Sequence, residues 1–188
     1  MKFKRIGICG SHSCGKTTLI RFLAKEVDLP LIQEIAATFA PPSRMHIDTQ
    51  YKIMRAQIEA EKKARNGRFM SDRTVIDNLA YCTLVFRKSP YEFEETYIKC
   101  RKTAADHLKG EPYDLVIVVD ELLPLASAFH RNFESDYEQK FILDFIKDMM
   151  EVPEKNGCEG EFLGTPYLCI KGPTARRIRR VLEYLETH

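Results

Sequence analysis

The sequence predicts an α/β fold in three layers: a five-stranded parallel sheet with helices on both of its faces. Five short apolar runs alternate with segments in which apolar residues recur every three to four positions, as strands alternating with helices would. The run Leu115–Val119 is continuously apolar, which is typical of a parallel strand covered on both faces. Because no internal repeat or linker of domain length interrupts this pattern, we expect residues 1–188 to form a single domain.

The first half of the chain contains three of the predicted strands and the two helices between them. Asp28 and Pro30 end the first helix, and two adjacent prolines exclude a helix from the segment 36–46. Apolar residues at helical spacing then indicate a second helix over residues 47–66. The strands predicted in this half are residues 3–9, 31–34 and 68–72.

The second half supplies the other two strands. A helix that starts at Val75 ends before Pro90, and a charged helical segment follows at 91–109. The segment 124–136 is polar and irregular, and the glycine-containing stretch 151–165 is predicted to be an exposed loop. The remaining predicted elements are a strand at 114–120, a helix at 141–149, a strand at 165–170 and a helix at 174–185.

A phosphate-binding loop follows the first predicted strand. Residues 10–17 read Gly-Ser-His-Ser-Cys-Gly-Lys-Thr, a complete G-x-x-x-x-G-K-[ST] pattern between a strand and a helix. Glycine permits the close backbone approach and positive φ that let several N–H groups converge on a phosphate. We expect Lys16 to reach the β- and γ-phosphates of ATP, and the Thr17 hydroxyl to bind Mg²⁺. The residues expected to hold the nucleotide here are Gly10, Ser11, His12, Ser13, Cys14, Gly15, Lys16, Thr17 and Thr18.

Polar or charged residues also follow the other predicted strands. They are Glu34, Asp72-Arg73, Asp120 and Lys171-Gly172. Ligands of parallel α/β sheets bind beyond the carboxyl ends of the strands, so we expect these residues to share one site with the phosphate loop. A carboxylate beside that loop can hold Mg²⁺ through water, and we select Asp72 for this role ahead of Asp120.

Asp72-Arg73-Thr74 resembles the D-R-[ST/Y] element of P-loop nucleoside and nucleotide kinases. The segment from Gln33-Glu34 through Gln57 to the run 72–81 is similar to the NadR-type ribosylnicotinamide kinase domains and their AAA_28-like relatives. The resemblance covers the whole chain in element order, and it implies a P-loop NTPase fold. It also implies that Glu34 faces the phosphate acceptor and that Lys171-Gly172 seat the adenine.

Phosphoryl transfer needs a triphosphate cradle, neutralised charge and an oriented nucleophile, and the selected residues can supply all three. Lys16 and Thr17 serve the triphosphate and its metal, whereas Glu34 would accept the proton of an attacking hydroxyl or orient it. Arg73 would bind the acceptor or the transferring phosphate, because its planar fork matches phosphate geometry. Kinases of this architecture close a mobile lid over the triphosphate, so we expect a lid at 124–137. Its candidate residue is Arg131, ahead of Arg44.

Other readings of the same residues stay open at this point. Asp72-Arg73 could form a helix cap with a surface ion pair, Glu34 could be a solvated strand end, and Asp77 could be a first-turn carboxylate. The pair Asp120-Glu121 after an apolar run also matches ATPases, in which it would hold Mg²⁺ and activate water. An NTP-binding regulator without transfer is a third alternative. A guanine-reading N-K-x-D motif is missing, which argues against a GTPase.

Composition limits the partners. The net charge is only +2 and no apolar stretch reaches the length of a membrane span, which argues against nucleic acid and against a membrane. The arginines at positions 176–180 are interpreted as a solvated helix face. The 6 cysteines form no C-x-x-C pair, and no leader segment precedes the first strand, so we expect reduced thiols in the cytoplasm. The expected partner is a small-molecule phosphate acceptor, and a homo-oligomer is compatible with the sequence.

Overall fold

The computed structural model describes residues 2–122, 136–153 and 158–188 of the chain. Six strands form one sheet in the order β2-β3-β1-β4-β6-β5, and all neighbours are parallel except β5 and β6. The strands are β1 (Arg5–Cys9), β2 (Leu31–Ile32), β3 (Phe69–Asp72), β4 (Leu115–Val119), β5 (Glu159–Phe162) and β6 (Thr165–Ile170). The predicted α/β class and the five parallel strands are confirmed.

Helices cover both faces of the sheet, as predicted. The helices are α1 (Lys16–Glu26), α2 (Ile47–Lys63), α3 (Val75–Lys88), α4 (Pro90–Gly110), α5 (Asp136–Met149) and α6 (Thr174–Thr187). Apolar residues of α2 to α5 form one buried cluster, and those of α1 and α6 form another. Along β4, Val116 and Val118 belong to the first cluster, whereas Leu115, Ile117 and Val119 belong to the second. This two-residue alternation shows why the strand is apolar throughout: each face of the sheet has its own core.

The sixth strand corrects the prediction of an exposed loop over 151–165. β5 pairs antiparallel with β6 through a tight turn at Leu163 and Gly164, both of which have positive φ. A Cβ at Gly160 would lie 2.5 Å from the hydroxyl oxygen of Tyr167, so glycine is what allows that side chain to lie across the strand. Glycine and two glutamates in a four-residue edge strand give no apolar alternation, and this is why the pattern resembles a loop.

Two predicted irregular segments also have structure. Short 3₁₀ turns span Ile35–Thr38 and Pro41–Met45. In the second turn, proline fixes φ for a tight turn but ends a regular helix. α5 begins at Asp136, so the last two residues of the predicted lid belong to this helix. The rest of that lid lies outside the described residues.

The parallel strands bring five chain segments to one edge of the sheet. β1, β2, β3, β4 and β6 all end there, and the residues that follow them form the loops of this edge. The main predicted site residues are therefore neighbours in space, although they are far apart in sequence. Within the described ranges, no helix has the length and apolarity needed to cross a bilayer.

Candidate active site

The loop between β1 and α1 has the shape that its glycines predict. Gly10 and Gly15 have φ values of 141° and 85°, and Ser13 also has a positive φ, of 59°. A Cβ at Gly10 would lie 2.8 Å from the carbonyl oxygen of Val119, so only glycine fits against β4. α1 starts at Lys16, directly after Gly15, and no side chain caps it. Its first N–H groups and its positive end therefore face the loop and can hold an anion.

Lys16 is 5% exposed and lies inside this loop. Its Nζ donates to the carbonyl oxygen of Ser11 and lies 3.3 Å from Sγ of Cys14. The His12 carbonyl accepts a 3.0 Å hydrogen bond from Nε2 of Gln139 on α5, so this helix contacts the loop as well. The ammonium group is thus held at the centre of the loop, where its charge can meet a phosphate.

Asp72 ends β3 directly beside α1. The Thr17 hydroxyl donates to Oδ2 of Asp72 at 2.7 Å. Oδ1 is buried and has no hydrogen-bond partner among the described residues. Burial raises the pKa of Asp72 above its ordinary value, although the Thr17 hydrogen bond and the charges of Arg73 and Lys16 act in the opposite direction. A buried carboxylate oxygen without a partner, beside a threonine hydroxyl, suits a hard cation.

Arg73 connects the phosphate loop with the end of β2. Its Nη1 donates to the carbonyl oxygen of Gly10 at 2.9 Å and to Oδ1 of Asp77 at 3.2 Å, and its Nε donates to Oε1 of Glu34 at 3.1 Å. The guanidinium lies over the ring of Tyr81, at 5.3 Å from its centroid. Arg73 itself has a φ of 100°, a conformation that a non-glycine residue adopts at a cost in free energy. The arginine is 6% exposed, so the interpretation of Asp72-Arg73 as a surface ion pair is wrong.

Asp77 is a structural carboxylate. It forms a capping box with Thr74 at the start of α3: its Oδ2 accepts from the Thr74 N–H at 2.9 Å, and its N–H donates back to the Thr74 hydroxyl. Its Oδ1 also accepts from the N–H of Gly10 at 3.2 Å. Asp77 is completely buried, and its hydrogen bonds connect the phosphate loop with the start of α3.

Glu34 lies at the open side of this arrangement. Its side chain is 28% exposed, compared with 8% for the Arg73 side chain that it contacts. The ring of Tyr81 packs against Arg73, and its hydroxyl lies 3.4 Å from Nδ1 of His12. Burial raises the pKa of Tyr81 to about 12, so its phenol is neutral near pH 7. The carboxylate of Glu34 is therefore accessible and is oriented by a buried cation.

The acidic pair after β4 is bound by basic side chains. Lys147 of α5 donates to both carboxylate oxygens of Asp120, at 3.3 and 3.4 Å. Oε2 of Glu121 accepts from the N–H of Gly172 at 2.7 Å and from Nη2 of Arg177 at 3.3 Å. Arg177 is 4% exposed, so the interpretation of the arginines at 176–180 as a solvated face is wrong for this residue.

Lys171 and Gly172 form the turn between β6 and α6, next to the phosphate loop. A cavity of about 690 Å³ opens there. Gly172 has a φ of 94°, which a glycine adopts without strain. The cavity wall includes Lys171, Gly172, Arg176, Arg177 and Arg180. Arg177 connects this wall with the phosphate loop through its hydrogen bond to the carbonyl oxygen of Cys14.

The structure therefore brings together the phosphate loop, Glu34, Asp72-Arg73, Asp120 and the Lys171-Gly172 turn. Arg44 donates from Nε and Nη2 to the carbonyl oxygen of Phe39, at 3.0 and 2.7 Å, and its place in a lid stays a prediction. Arg131 lies outside the described residues, and its role in a lid stays a prediction. The contacts of Gln139, Lys147 and Arg177 were not predicted, because each joins residues far apart in sequence and no local pattern marks them.

Comparison with known proteins identifies relatives of this chain. The sequence model of the AAA_28 family, described as an AAA domain, matches residues 5–152. No match was found among curated proteins. NadR protein in complex with NAD and AMP-PNP has a similar structure, with a TM-score of 0.69 and 21% identity over 100% of this chain. NadR in complex with NR gives a TM-score of 0.70 and 20% identity. The chain spans 51% of the NadR chain in both structures.

A second kind of enzyme shares this fold over its full length. Deoxyadenosine kinase from M. mycoides, with bound dATP, has a TM-score of 0.67 and 13% identity, and the match covers 97% of this chain and 99% of the kinase. At such identities the similarity describes the fold. The family match covers most of the chain and includes the phosphate loop, Glu34 and Asp72-Arg73. The chain belongs to the AAA_28 family, and its fold is similar to the folds of NadR and deoxyadenosine kinase.

Proposed function

We propose that this protein is an ATP- and Mg²⁺-dependent phosphotransferase that moves the γ-phosphate to a small acceptor. The acceptor is a hydroxyl or phosphate of a nucleoside, a nucleotide or a compound like ribosylnicotinamide. The observation that carries this proposal is the position of Arg73, which contacts the carbonyl of Gly10 in the phosphate loop and the accessible carboxylate of Glu34. One buried cation thereby links the donor side of the site with the acceptor side.

The donor nucleotide would lie along the sheet edge. Lys16 and the N–H groups at the start of α1 would bind the β- and γ-phosphates. The Lys171-Gly172 turn and the cavity beside it would receive the base and ribose. NadR is known in complex with AMP-PNP, which supports an adenine nucleotide as the donor.

Thr17 and Asp72 fit Mg²⁺, Asp72 through water. Oδ1 of Asp72, which is buried and has no partner among the residues that the structure describes, and the adjacent Thr17 hydroxyl are hard oxygen ligands. When bound, Mg²⁺ would neutralise charge on the phosphate oxygens. Asp120 suits this role less well, because Lys147 already pairs with both of its carboxylate oxygens.

Glu34 would serve the acceptor. Its accessible carboxylate accepts the proton of the attacking hydroxyl or orients that hydroxyl toward the γ-phosphorus. The new bond forms between the acceptor oxygen and the γ-phosphorus, the bond to the β–γ bridging oxygen breaks, and ADP leaves. Arg73 would steady the transferred phosphate or the acceptor while it holds Glu34 in place.

The contacts of Glu121 favour transfer over simple ATP hydrolysis. In the ATPase alternative, Glu121 would activate water, but its Oε2 accepts from the Gly172 N–H and from Arg177. The ATPase alternative also assigns no role to the Glu34 carboxylate.

The test measures ATP consumption with and without a panel of nucleosides, nucleotides and ribosylnicotinamide, in the presence of Mg²⁺. We expect at least one acceptor to stimulate ATP consumption and to gain a phosphate, which mass spectrometry identifies. The Lys16→Ala variant should lose turnover, whereas Lys25→Ala, an exposed lysine of the same helix, should keep it. ATP hydrolysis that no acceptor stimulates would contradict the proposal and favour the ATPase alternative.

A further inference from the structure

Arg177, in the first turn of α6, is buried and makes three hydrogen bonds to other segments. Its Nη1 donates to the carbonyl oxygen of Cys14 in the phosphate loop at 2.7 Å. Its Nε donates to the carbonyl oxygen of Gly172, and its Nη2 donates to Glu121 at 3.3 Å. A Cβ at Gly15 would lie 3.4 Å from Nη1, so the guanidinium also packs directly against the start of α1.

Glu121 holds the turn from the other side. Its Oε2 accepts from the N–H of Gly172 at 2.7 Å, while the carbonyl of the same glycine accepts from Arg177. Gly172 has a positive φ. The carboxylate of Glu121 and the guanidinium of Arg177 hold its N–H and its carbonyl in the orientation that this φ requires. Both hydrogen bonds are charge-assisted. Because Arg177 is only 4% exposed, water has little access to compete for them.

These contacts join two segments that the sheet keeps apart. The phosphate loop follows β1 and the turn follows β6, and β4 lies between these strands. The hydrogen bonds of the sheet set the spacing of these strands, and the loop and the turn lie beyond the strand ends. The guanidinium of Arg177 spans it, with Cys14 at one end and Gly172 at the other.

We infer that Arg177 and Glu121 are positioning residues that fix the phosphate loop and the Lys171-Gly172 turn at the separation that a nucleoside triphosphate needs. This inference rests on the proposed binding of ATP at this edge of the sheet. Arg177 and Glu121 order different segments of the site. Arg177 orders both the loop and the turn, whereas Glu121 orders the turn and leaves the bond between Arg177 and Cys14 intact.

The difference can be measured with two ligands. ATP contacts the loop and the turn, whereas inorganic tripolyphosphate contacts the loop alone. Loss of a charge-assisted hydrogen bond predicts that Glu121→Ala weakens ATP binding roughly tenfold and leaves tripolyphosphate affinity within about twofold. Arg177→Met should weaken both ligands by roughly tenfold or more. Glu121→Gln keeps an acceptor oxygen for the Gly172 N–H and should restore ATP affinity to within about threefold of wild type.

Isothermal titration calorimetry on the full chain with Mg²⁺ measures these affinities. Glu186→Ala and Arg101→Met remove the same charges from exposed positions and should bind both ligands as the wild type does. Thermal unfolding shows whether each variant is folded at the temperature of the titration. If Glu121→Ala binds ATP like the wild type, or loses both ligands equally, the inference is wrong. If the wild-type protein binds tripolyphosphate but not ATP, the proposed function fails, and the inference fails with it.

Discussion

The hydroxyl of Thr17 donates a 2.7 Å hydrogen bond to Oδ2 of Asp72, so the first turn of α1 and the end of β3 meet at one buried carboxylate. Burial of this carboxylate costs free energy, because its charged form loses solvation. The other oxygen of Asp72 has no partner among the described residues. Asp72 thus destabilises the folded protein, as expected for a group that serves a ligand.

Asp72→Asn should therefore stabilise the protein and impair catalysis. The pKa of Asp72 is raised from 3.8, so the folded state holds the proton to a higher pH than the unfolded state does. Between the two pKa values the wild-type stability falls as pH rises, and above the folded pKa the full cost is present. At pH 7 we expect the variant to gain on the order of 1 kcal/mol. Urea unfolding measures this gain.

The pH dependence provides the control for that result. The gain should be largest at neutral pH and should shrink as pH falls through the folded pKa toward 3.8, because both proteins are then neutral at this position. Transfer activity should fall at least tenfold, since an amide is a poorer ligand for Mg²⁺ than a carboxylate. A variant that is less stable than the wild type at pH 7 would contradict the assignment of a desolvated carboxylate.

Glu34→Gln tests the acceptor side. The variant keeps an oxygen for the hydrogen bond from Arg73 but cannot accept a proton. We expect kcat to fall by roughly 10²–10⁴, the range for loss of a general base, and ATP affinity to stay unchanged. Steady-state kinetics with the best acceptor, together with ATP titration, measure the two quantities. Glu26→Gln, at an exposed position at the end of α1, is the matched control and should behave like the wild type. Unchanged transfer in Glu34→Gln would remove this role from Glu34.

The residues that the sequence could predict are those whose signal is local. The phosphate loop has a fixed spacing, and Asp72-Arg73 directly follows an apolar run, so both could be placed at the sheet edge. The contact of Arg177 with the phosphate loop could not be predicted, because 163 positions separate Arg177 from Cys14. Helical periodicity also groups Arg177 with the exposed arginines around it. Its burial depends on where α6 docks, which is a tertiary property.

The missed edge strand has a related cause. Glu159, Gly160 and Glu161 are exposed, and only Phe162 is partly buried, so β5 contributes almost no apolar pattern. Its pairing with β6 depends on the positive φ values of the Leu163-Gly164 turn, and leucine at such a position is not a turn signal. The order of the strands in the sheet could not be derived either, because it depends on packing between segments that are distant in sequence.

A buried polar network below the site gives a prediction about stability. Glu61 on α2 is fully buried, and its carboxylate accepts from Nε2 of Gln57 and from the hydroxyl of Tyr113, each at 2.8 Å. That hydroxyl also accepts from the N–H of Val75, the first residue of α3, at 3.1 Å. Burial raises the pKa of Tyr113 well above its ordinary value, so the hydroxyl keeps its proton and can donate.

Tyr113→Phe should lower the free energy of unfolding by about 1–3 kcal/mol, because Val75 N–H then lacks a partner and Glu61 loses a donor. Urea denaturation measures the change. Tyr91→Phe removes a hydroxyl from a side chain that is 99% exposed, and it should alter stability by less than about 0.5 kcal/mol. Equal transition midpoints for the two variants would show that the Tyr113 hydroxyl contributes nothing to the network.

Thiol chemistry should single out Cys158. Of the 6 cysteines, all free, Cys158 alone is partly exposed and the others are buried. Burial raises the pKa of Cys9 well above its ordinary value and, together with the charge of Asp120, raises the pKa of Cys169 to about 12. Native protein treated with iodoacetamide at pH 8 should therefore be alkylated at Cys158 first, as peptide mapping will show. ATP affinity should survive, because Cys14 is buried with its thiol donating to the Ser11 carbonyl. The Cys158→Ser variant is the control and should resist alkylation, whereas early labelling of Cys14 with loss of ATP binding would contradict this assignment.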